Sequence, residues 1–348
     1  MGGASARFGL AVCRFASWSG NKRNICISIS LCSETAVASS GGAYGSGTIF
    51  SVNTDGSGFA KLHDFDGTNG SDPYSGLVLS GGKLYGTAAN GGPGIDAEGP
   101  HCGTIFSINL DGSGFTNIYN FSSESNDYQI FNGILTNADG ANPLGGLVAS
   151  GGTLYGTTSS GGTNGFGTVF TISTNGTGFT VLYDFTGEKT PQTTPVLSGG
   201  TLYGSTQNSS AIYSLSTNGG NFQVLNNGVN DYFLNPVAIS GQTLYETTFT
   251  FPNGNNGFTA GGSVYSIQTN GSGFRTLHSF SPQSIINAGV TPAGDALYGD
   301  TSDVNDSGGQ IYVLNTNGMF TVLYTFSAMG TNSEGTATNS DGAGRTHR

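Results

Sequence analysis

The oxygen-rich run at 64–72 holds the densest set of potential ligands in this chain. Asp64, Asp66, Asn69 and Asp72 supply carboxylate and amide oxygens at short spacing. Calcium takes about six to eight such oxygens, but the run lacks the terminal glutamate of an EF-hand loop. Other parts of the chain do not reproduce it, so a solvated loop is the default reading. Calcium is the weak alternative, and no other cofactor is implied. Asp96, Glu98, His101 and Cys102 form a second cluster. Zinc needs three or four converging ligands, and adjacent residues such as His101 and Cys102 rarely bind one ion together. A solvated insertion is the better reading there. No Ser, His and Asp constellation is identifiable, and the glycine-rich segments lack the Lys-Ser/Thr of a phosphate loop. No catalytic residue is assigned. An enzyme would need acids or histidines converging at one pore, and Asp231, Glu246, Asp300 and Asp303 are available.

Other chemical-looking residues recur, which changes their meaning. Asp55 and Asp111 occupy an Asp-Gly-Ser-Gly turn, and Asn175, Asn218, Asn270 and Asn317 stand at the same place. Asp and Asn share a tolerance for turn conformations, but only Asp brings charge, so the interchange favours a structural turn over calcium. His63 and His278 alternate with Tyr119, Tyr183 and Tyr324, which suggests packing or an interface. Tyr85, Tyr155, Tyr203, Tyr245 and Tyr298 could stack on sugars, but their place on a repeated strand favours core packing.

Two phrases carry these residues. Gly-Thr-Ile-Phe-Ser-Val-Asn-Thr-Asp-Gly-Ser-Gly-Phe at 47–59 returns at 103–115, 167–179, 210–222, 262–274 and 309–320. The second, Gly-Leu-Val-Leu-Ser-Gly-Gly-Lys-Leu-Tyr-Gly-Thr at 76–87, returns almost unchanged at 146–157 and more weakly at 195–205, 236–247 and 290–300. Each splits into two short strands around a turn in which glycine allows positive φ. The alternation of apolar and polar residues at 49–53 is that of a half-buried strand. Each unit therefore reads as four antiparallel strands, a to d, and no segment has a helical period. Such units repeated every ~40–60 residues predict the blades of a β-propeller. The fold class is all-β, a β-propeller of six four-stranded blades with one partial or degenerate. Blades two to six span 76–121, 146–185, 194–227, 235–280 and 288–326. Blade one has strands c and d at 47–65, with a hairpin from 10–17 and 25–31 as a substitute for a and b.

The ends depart from the repeat. The domain reading is an atypical N-terminal segment at 1–33, a repeat domain at 34–327 and a disordered or truncated tail at 328–348. Residues 34–38 read Glu-Thr-Ala-Val-Ala where Leu-Tyr-Gly-Thr-Thr is expected. Residues 338–343 match 136–141, the lead-in to blade three, before the pattern stops. These departures suggest an excerpt of a longer repeat protein with both ends altered.

The motifs resemble the Gloeo/Verruco tandem-repeat family, the GloVer repeats. The Gly-Thr-Ile/Val-Phe phrases at 47, 103 and 167, the Asp/Asn-Gly-Ser/Thr-Gly-Phe turns and the Leu-Tyr-Gly-Thr phrases at 84 and 154 carry the resemblance. It covers roughly 35–343. It implies a bacterial secreted or envelope protein and transfers no catalytic residues.

Composition bounds the partners. Charged residues are only 9% of the chain, while aromatic residues are 11%, enough for a core. All 21 acidic residues lie within 34–344, against four basic ones there, so the repeat surface repels phosphate backbones and anionic membranes. Nucleic acid is not an expected partner. No apolar run is long enough for a transmembrane helix. The N-terminus has no convincing signal peptide, because Arg7, Arg14, Lys22 and Arg23 interrupt its apolar stretches. The four cysteines make no disulfide scaffold. In a meander, turns a–b and c–d share one end of each blade, and links b–c and d–a share the other. The first set is short and uniform and the second varies widely, as in 88–102 and 122–143, so binding is expected on the second. The expectation is a monomeric, extracellular or envelope-associated scaffold that binds carbohydrate or another envelope protein. The alternatives are a propeller enzyme, such as a polysaccharide lyase or hydrolase, and a spacer.

Overall fold

Short strands, joined by glycine turns within each a–b and c–d hairpin, bury their alternate apolar side chains by pairing consecutively and stacking. The computed structural model of the chain shows this arrangement. It describes residues 11–13, 25–28, 34–93, 102–123, 136–187, 189–207, 211–227, 232–233, 235–249, 261–281, 284–286, 289–303, 309–326, 330–331 and 337–338. Every described element is a strand, and the named strands pair antiparallel throughout. The chain divides into two units, Met1–Pro195 and Val196–Arg348.

Unit one holds three sheets. Sheet two is Val78–Ser80, Lys83–Ala88, Thr104–Asn109 and Thr116–Asn120, paired in chain order, and these are its strands a to d. Sheet three repeats it with Val148–Ser150, Thr153–Thr158, Thr168–Ser173 and Thr180–Asp184. Sheet one differs from expectation. Thr48–Val52 and Ala60–Asp64 are strands c and d as predicted, but Glu34–Ala38 forms the b strand despite its unlike sequence. The reason lies in the register. Ala36 pairs with Phe50 as Gly86 pairs with Phe106, so a small residue still lies opposite the ring. Ile25–Ser28 and Ala11–Cys13 extend this sheet to five strands.

Unit two holds sheet four, from Val196–Ser198, Thr201–Ser205, Ile212–Ser216 and Gln223–Asn226. In sheet five, Ala238–Ser240, Thr243–Phe249, Ser263–Gln268 and Arg275–Ser279 are joined by Tyr232–Phe233, which pairs with the far end of strand b. Sheet six is built likewise from Thr291–Ala293, Ala296–Asp303, Gly309–Asn315 and Phe320–Phe326, with Ser284–Ile286 in the added place. Gly330–Thr331 pairs with Ala337–Thr338 in the tail.

The cores lie between successive sheets. Val37, Ile49 and Phe65 of sheet one pack on Leu77, Leu84, Phe106 and Ile108 of sheet two. The same positions recur between sheets two and three, four and five, and five and six. Each c–d pair also shifts register at one place, opposite Leu62 in sheet one and Leu323 in sheet six. A bulge re-aims the extra side chain and tightens the strand twist. Here it turns one aliphatic residue of strand d toward the next sheet. Leu62 meets the core between sheets one and two in this way, and Phe115 of the c–d turn in sheet two packs on the same core.

Candidate functional site

The b–c and d–a links converge by topology on one end of each sheet, and in unit one they form a continuous polar chain. The d–a link before sheet two folds back on that sheet's b–c loop: the Ser71 amide donates to the Asn90 carbonyl at 2.7 Å, and the Ala89 amide to the Asp72 carbonyl at 3.1 Å. Sheet three repeats this with Ala141 and Ser160, and with Ser159 donating to the Asn142 carbonyl. Side chains then join one sheet's loops to the next. Asn90 Nδ2 donates to Asp72 Oδ2 at 3.0 Å. Asn142 Nδ2 donates to Asn90 Oδ1 at 2.9 Å and to the Ala89 carbonyl at 3.2 Å. Ser160 Oγ donates to Asn142 Oδ1 at 2.7 Å.

The backbone of this chain is held in an uncommon shape. Asp72 and Asn142 stand at equivalent places before Pro73 and Pro143, with φ of 55° and 52°. Asp and Asn tolerate the left-handed region better than other side-chain-bearing residues. Such conformations cost about 1–3 kcal/mol and persist where surrounding contacts over-determine them. Here the contacts are those bonds and the seat of each proline, which fills the space over Gly47 or Gly103 of the preceding sheet. The four side chains Asp72, Asn90, Asn142 and Ser160 are all partly exposed. They present amide, hydroxyl and carboxylate groups in a row. The repeated Asx-Pro dipeptides at 72–73 and 142–143 were the sequence signal for these residues, since Asn/Asp-Pro marks a turn.

The calcium candidates are distributed differently. Asp66 turns into its own loop, where Oδ1 accepts from the Thr68 amide and hydroxyl and the Asn69 amide. Burial works against ionisation there, but these donors hold its carboxyl below the ordinary range. Asn69 returns the contact by accepting from the Asp66 amide, and it also meets His63 Nε2 at 3.2 Å. Asp64 pairs with Lys61 at 2.5 Å, which lowers its pKa. Asp72 belongs to the polar chain. Among the described residues no three His, Cys, Asp or Glu side chains are placed to share an ion. Asp96, Glu98 and His101 lie outside the described residues, and Cys102 is buried between sheets two and three.

The Asp/Asn turns are structural. Asp55 accepts from the Ser57 hydroxyl and amide, which lowers its pKa, and Asn175 accepts from the same groups of Thr177. His63 stacks on Phe115 at 3.6 Å, Tyr119 on Phe179 at 4.0 Å and His278 on Phe320 at 4.2 Å, so this alternating position is an intersheet packing site. Tyr85, Tyr203 and Tyr245 are core residues, while Tyr298 is exposed.

Of the four acids considered for catalysis, Asp231 and the Asp303 side chain lie outside the described residues. Asp300 is half-buried near Tyr312. Glu246 stands apart. It occupies the place of Gly86, Gly156, Gly204 and Gly299, where an aromatic ring of strand c covers the strand. Its side chain is 1% exposed, and neither carboxyl oxygen has a well-formed hydrogen bond among the described residues. Burial pushes its pKa well above the ordinary glutamate value, and the nearby Thr247 amide and Ser205 hydroxyl only partly oppose that. Burial therefore favours the protonated form of Glu246.

A family model described as the Gloeobacter/Verrucomicrobia repeat matches residues 36–209. Comparison with curated proteins finds no match. Among solved structures, the chain is similar to a candidate 6-phosphogluconolactonase from Bacteroides uniformis, at 13% identity and a TM-score of 0.54, covering 92% of this chain and 97% of that one. It is also similar to an oligogalacturonate lyase from Vibrio parahaemolyticus, at 11% identity and a TM-score of 0.51, covering 92% and 80%. At these identities the likeness is one of fold, the four-stranded blades of a β-propeller. No helix among the described residues is long and apolar enough to cross a membrane.

Proposed function

Because the chain belongs to the Gloeobacter/Verrucomicrobia repeat family, we propose that its repeat scaffold works as a secreted or cell-surface binding module for neutral polysaccharide. The observation that carries this reading is the polar chain Asp72–Asn90–Asn142–Ser160. Sugars offer hydroxyls that both donate and accept, and amide side chains match them in both directions. A site held by a fixed backbone loses little entropy when it binds. The absence of excess positive charge suits an uncharged ligand. An envelope protein is the alternative partner, docked on the same loops.

The test is a thermal-shift and calorimetric screen against neutral polysaccharides, since a ligand that binds only the folded state raises the melting temperature. A saturable shift with one glycan, lost in Asn142→Ala while that variant keeps a cooperative melt, is expected. If no glycan shifts the wild-type melt, the carbohydrate reading fails.

Glu246 favours a second reading, an enzyme acting on polysaccharide. A carboxyl whose pKa burial raises is suited to act as a general acid. One structure of similar fold is an oligogalacturonate lyase, though its likeness carries fold alone. Release of reducing or unsaturated sugar ends by the wild type, abolished in Glu246→Gln, would support this reading. Equal product release from both proteins would remove Glu246 from the chemistry.

A further inference from the structure

The polar chain of unit one runs in one direction. Ser160 Oγ donates to Asn142 Oδ1, Asn142 Nδ2 to Asn90 Oδ1, and Asn90 Nδ2 to Asp72 Oδ2. Two groups that can only accept hold it that way. The Asp72 carboxylate requires a donor from Asn90, and the Ala89 carbonyl requires one from Asn142, at 3.2 Å. Turning either amide over would set oxygen against oxygen at one of these contacts. Ser160 follows from the rest: it meets an oxygen of Asn142, so its hydroxyl must donate. Bonds aligned in this way polarise and strengthen one another.

The direction fixes what the row can still offer. The Ser160 hydrogen is used, and the two amide hydrogens of Asn142 serve Asn90 and the Ala89 carbonyl. Of the row's side-chain hydrogens, only one on Asn90 stays outside these bonds among the described residues. Lone pairs remain on Ser160 Oγ, on the two amide oxygens and on the carboxylate. All four side chains are partly exposed, so a ligand can reach this acceptor capacity. The row has oxygens to spare and few hydrogens.

We propose that the row recognises a glycan through the hydroxyl hydrogens that the glycan donates, and so selects free hydroxyls over esterified or etherified ones. This rests on the carbohydrate reading above and adds the direction of its contacts. A free hydroxyl both donates and accepts, whereas its methyl ether, its acetate and a fluorine in its place can only accept. Set against the acceptors of the row, such a group leaves both sides unpaired, and an unpaired polar group costs more than a missing one. Asp72 is a positioning residue here, because it sets the direction that the other members carry to Ser160.

Two measurements test this. In calorimetry, a glycan that binds is compared with its O-methyl, O-acetyl, deoxyfluoro and deoxy forms. Each substitution at a contacted hydroxyl is expected to weaken binding by about tenfold, the size of one lost hydrogen bond. The ether, ester and fluoro forms should lose at least as much as the deoxy form. If they keep the parent's affinity where the deoxy form loses it, the proposal is overturned and the carbohydrate reading stands. If no glycan binds the wild type, that reading fails and the selection fails with it. Melting temperatures decide the direction without any ligand. Asn90→Asp sets a second carboxylate against Asp72 and is expected to lower the melt. Asp72→Asn keeps an oxygen for Asn90 Nδ2 and is expected to melt near the wild type. Asn175→Asp adds the same charge at a turn that carries Asp55 and Asp111 in sheets one and two, and it serves as the control. Equal melts for Asn90→Asp and Asn175→Asp, or a larger loss in Asp72→Asn than in Asn90→Asp, would overturn the direction itself.

Discussion

Glycine in this chain does two different things, and the distinction decides what substitutions cost. At Gly86 and Gly156 the backbone is an ordinary strand, and glycine is required by a neighbour. A β-carbon on Gly156 would lie 2.5 Å from Phe170 Cζ and 2.9 Å from Leu147 Cδ2. Both contacts are inside a packed core, so the rings cannot swing away freely. Gly156→Ala is expected to destabilise the protein by about 1–3 kcal/mol, the usual range for overpacking, as read from chemical denaturation. Glu246 takes the same position in sheet five and gives the opposite test. Its pKa is raised in the folded state by burial. Below pH 4.5, its ordinary value, the carboxyl is protonated folded or unfolded, and stability is whole. As pH rises above that, only the unfolded chain ionises, so stability falls until the raised native pKa is reached. The slope approaches about 1.4 kcal/mol per pH unit. Glu246→Gln is expected to remove this component, seen as a flatter dependence of unfolding free energy on pH than in the wild type. Equal slopes would show that the carboxyl ionises in the native state.

At the scale of the strand, the stability of the stack rests on pairing one sheet's turn with the previous sheet's bulge. Aromatic pairs of this kind add about 0.5–1.5 kcal/mol beyond the area they bury. His63 makes that pair with Phe115, and burial lowers its pKa. The neighbouring Asp64 and Asp66 charges oppose the shift without cancelling it. A histidine with a depressed native pKa contributes stability that is whole above its ordinary 6.5 and is lost as pH falls through the native value. Sheet one should therefore loosen in mild acid. His63→Tyr, which installs the residue that sheet two carries at this place, is expected to keep the stack and abolish that acid sensitivity. Melting curves at several pH values around and below 6.5 would read it. A variant as acid-sensitive as the wild type would place the sensitivity elsewhere.

For the whole molecule, charge is the governing property. The chain carries a net −11 with few charged residues of either sign. Contacts made by Asn and Ser with a neutral glycan involve no pairing of opposite charges, so raising ionic strength has little to screen. Glycan affinity measured by calorimetry is expected to change less than about twofold between low and physiological salt, in contrast to the steep salt dependence of phosphate-contacting proteins. A steep decline would point to an ionic ligand and against the neutral-sugar reading.

The amino-acid sequence alone determined the four-strand unit and its turns, because both rest on local pattern: alternation, glycine turns and a repeat that states the same solution six times. It also marked the His/Tyr position as an interface, since two unlike side chains sharing one place have only their flat rings in common. Strand 34–38 escaped the pattern because pairing opposite Phe50 asks only for a small residue, which alanine satisfies without resembling the repeat. The Asx-Pro dipeptides marked the turns at Asp72 and Asn142, but their joining with Asn90 and Ser160 into one polar chain was beyond reach, for bonded members are 18 to 52 residues apart and meet only after the sheets stack. Glu246 was visible as a departure from Leu-Tyr-Gly-Thr, but its raised pKa was decided by the burial that the tertiary structure imposes. A repeat specifies what each unit offers to its neighbour, while only the packed structure determines which offers are taken up.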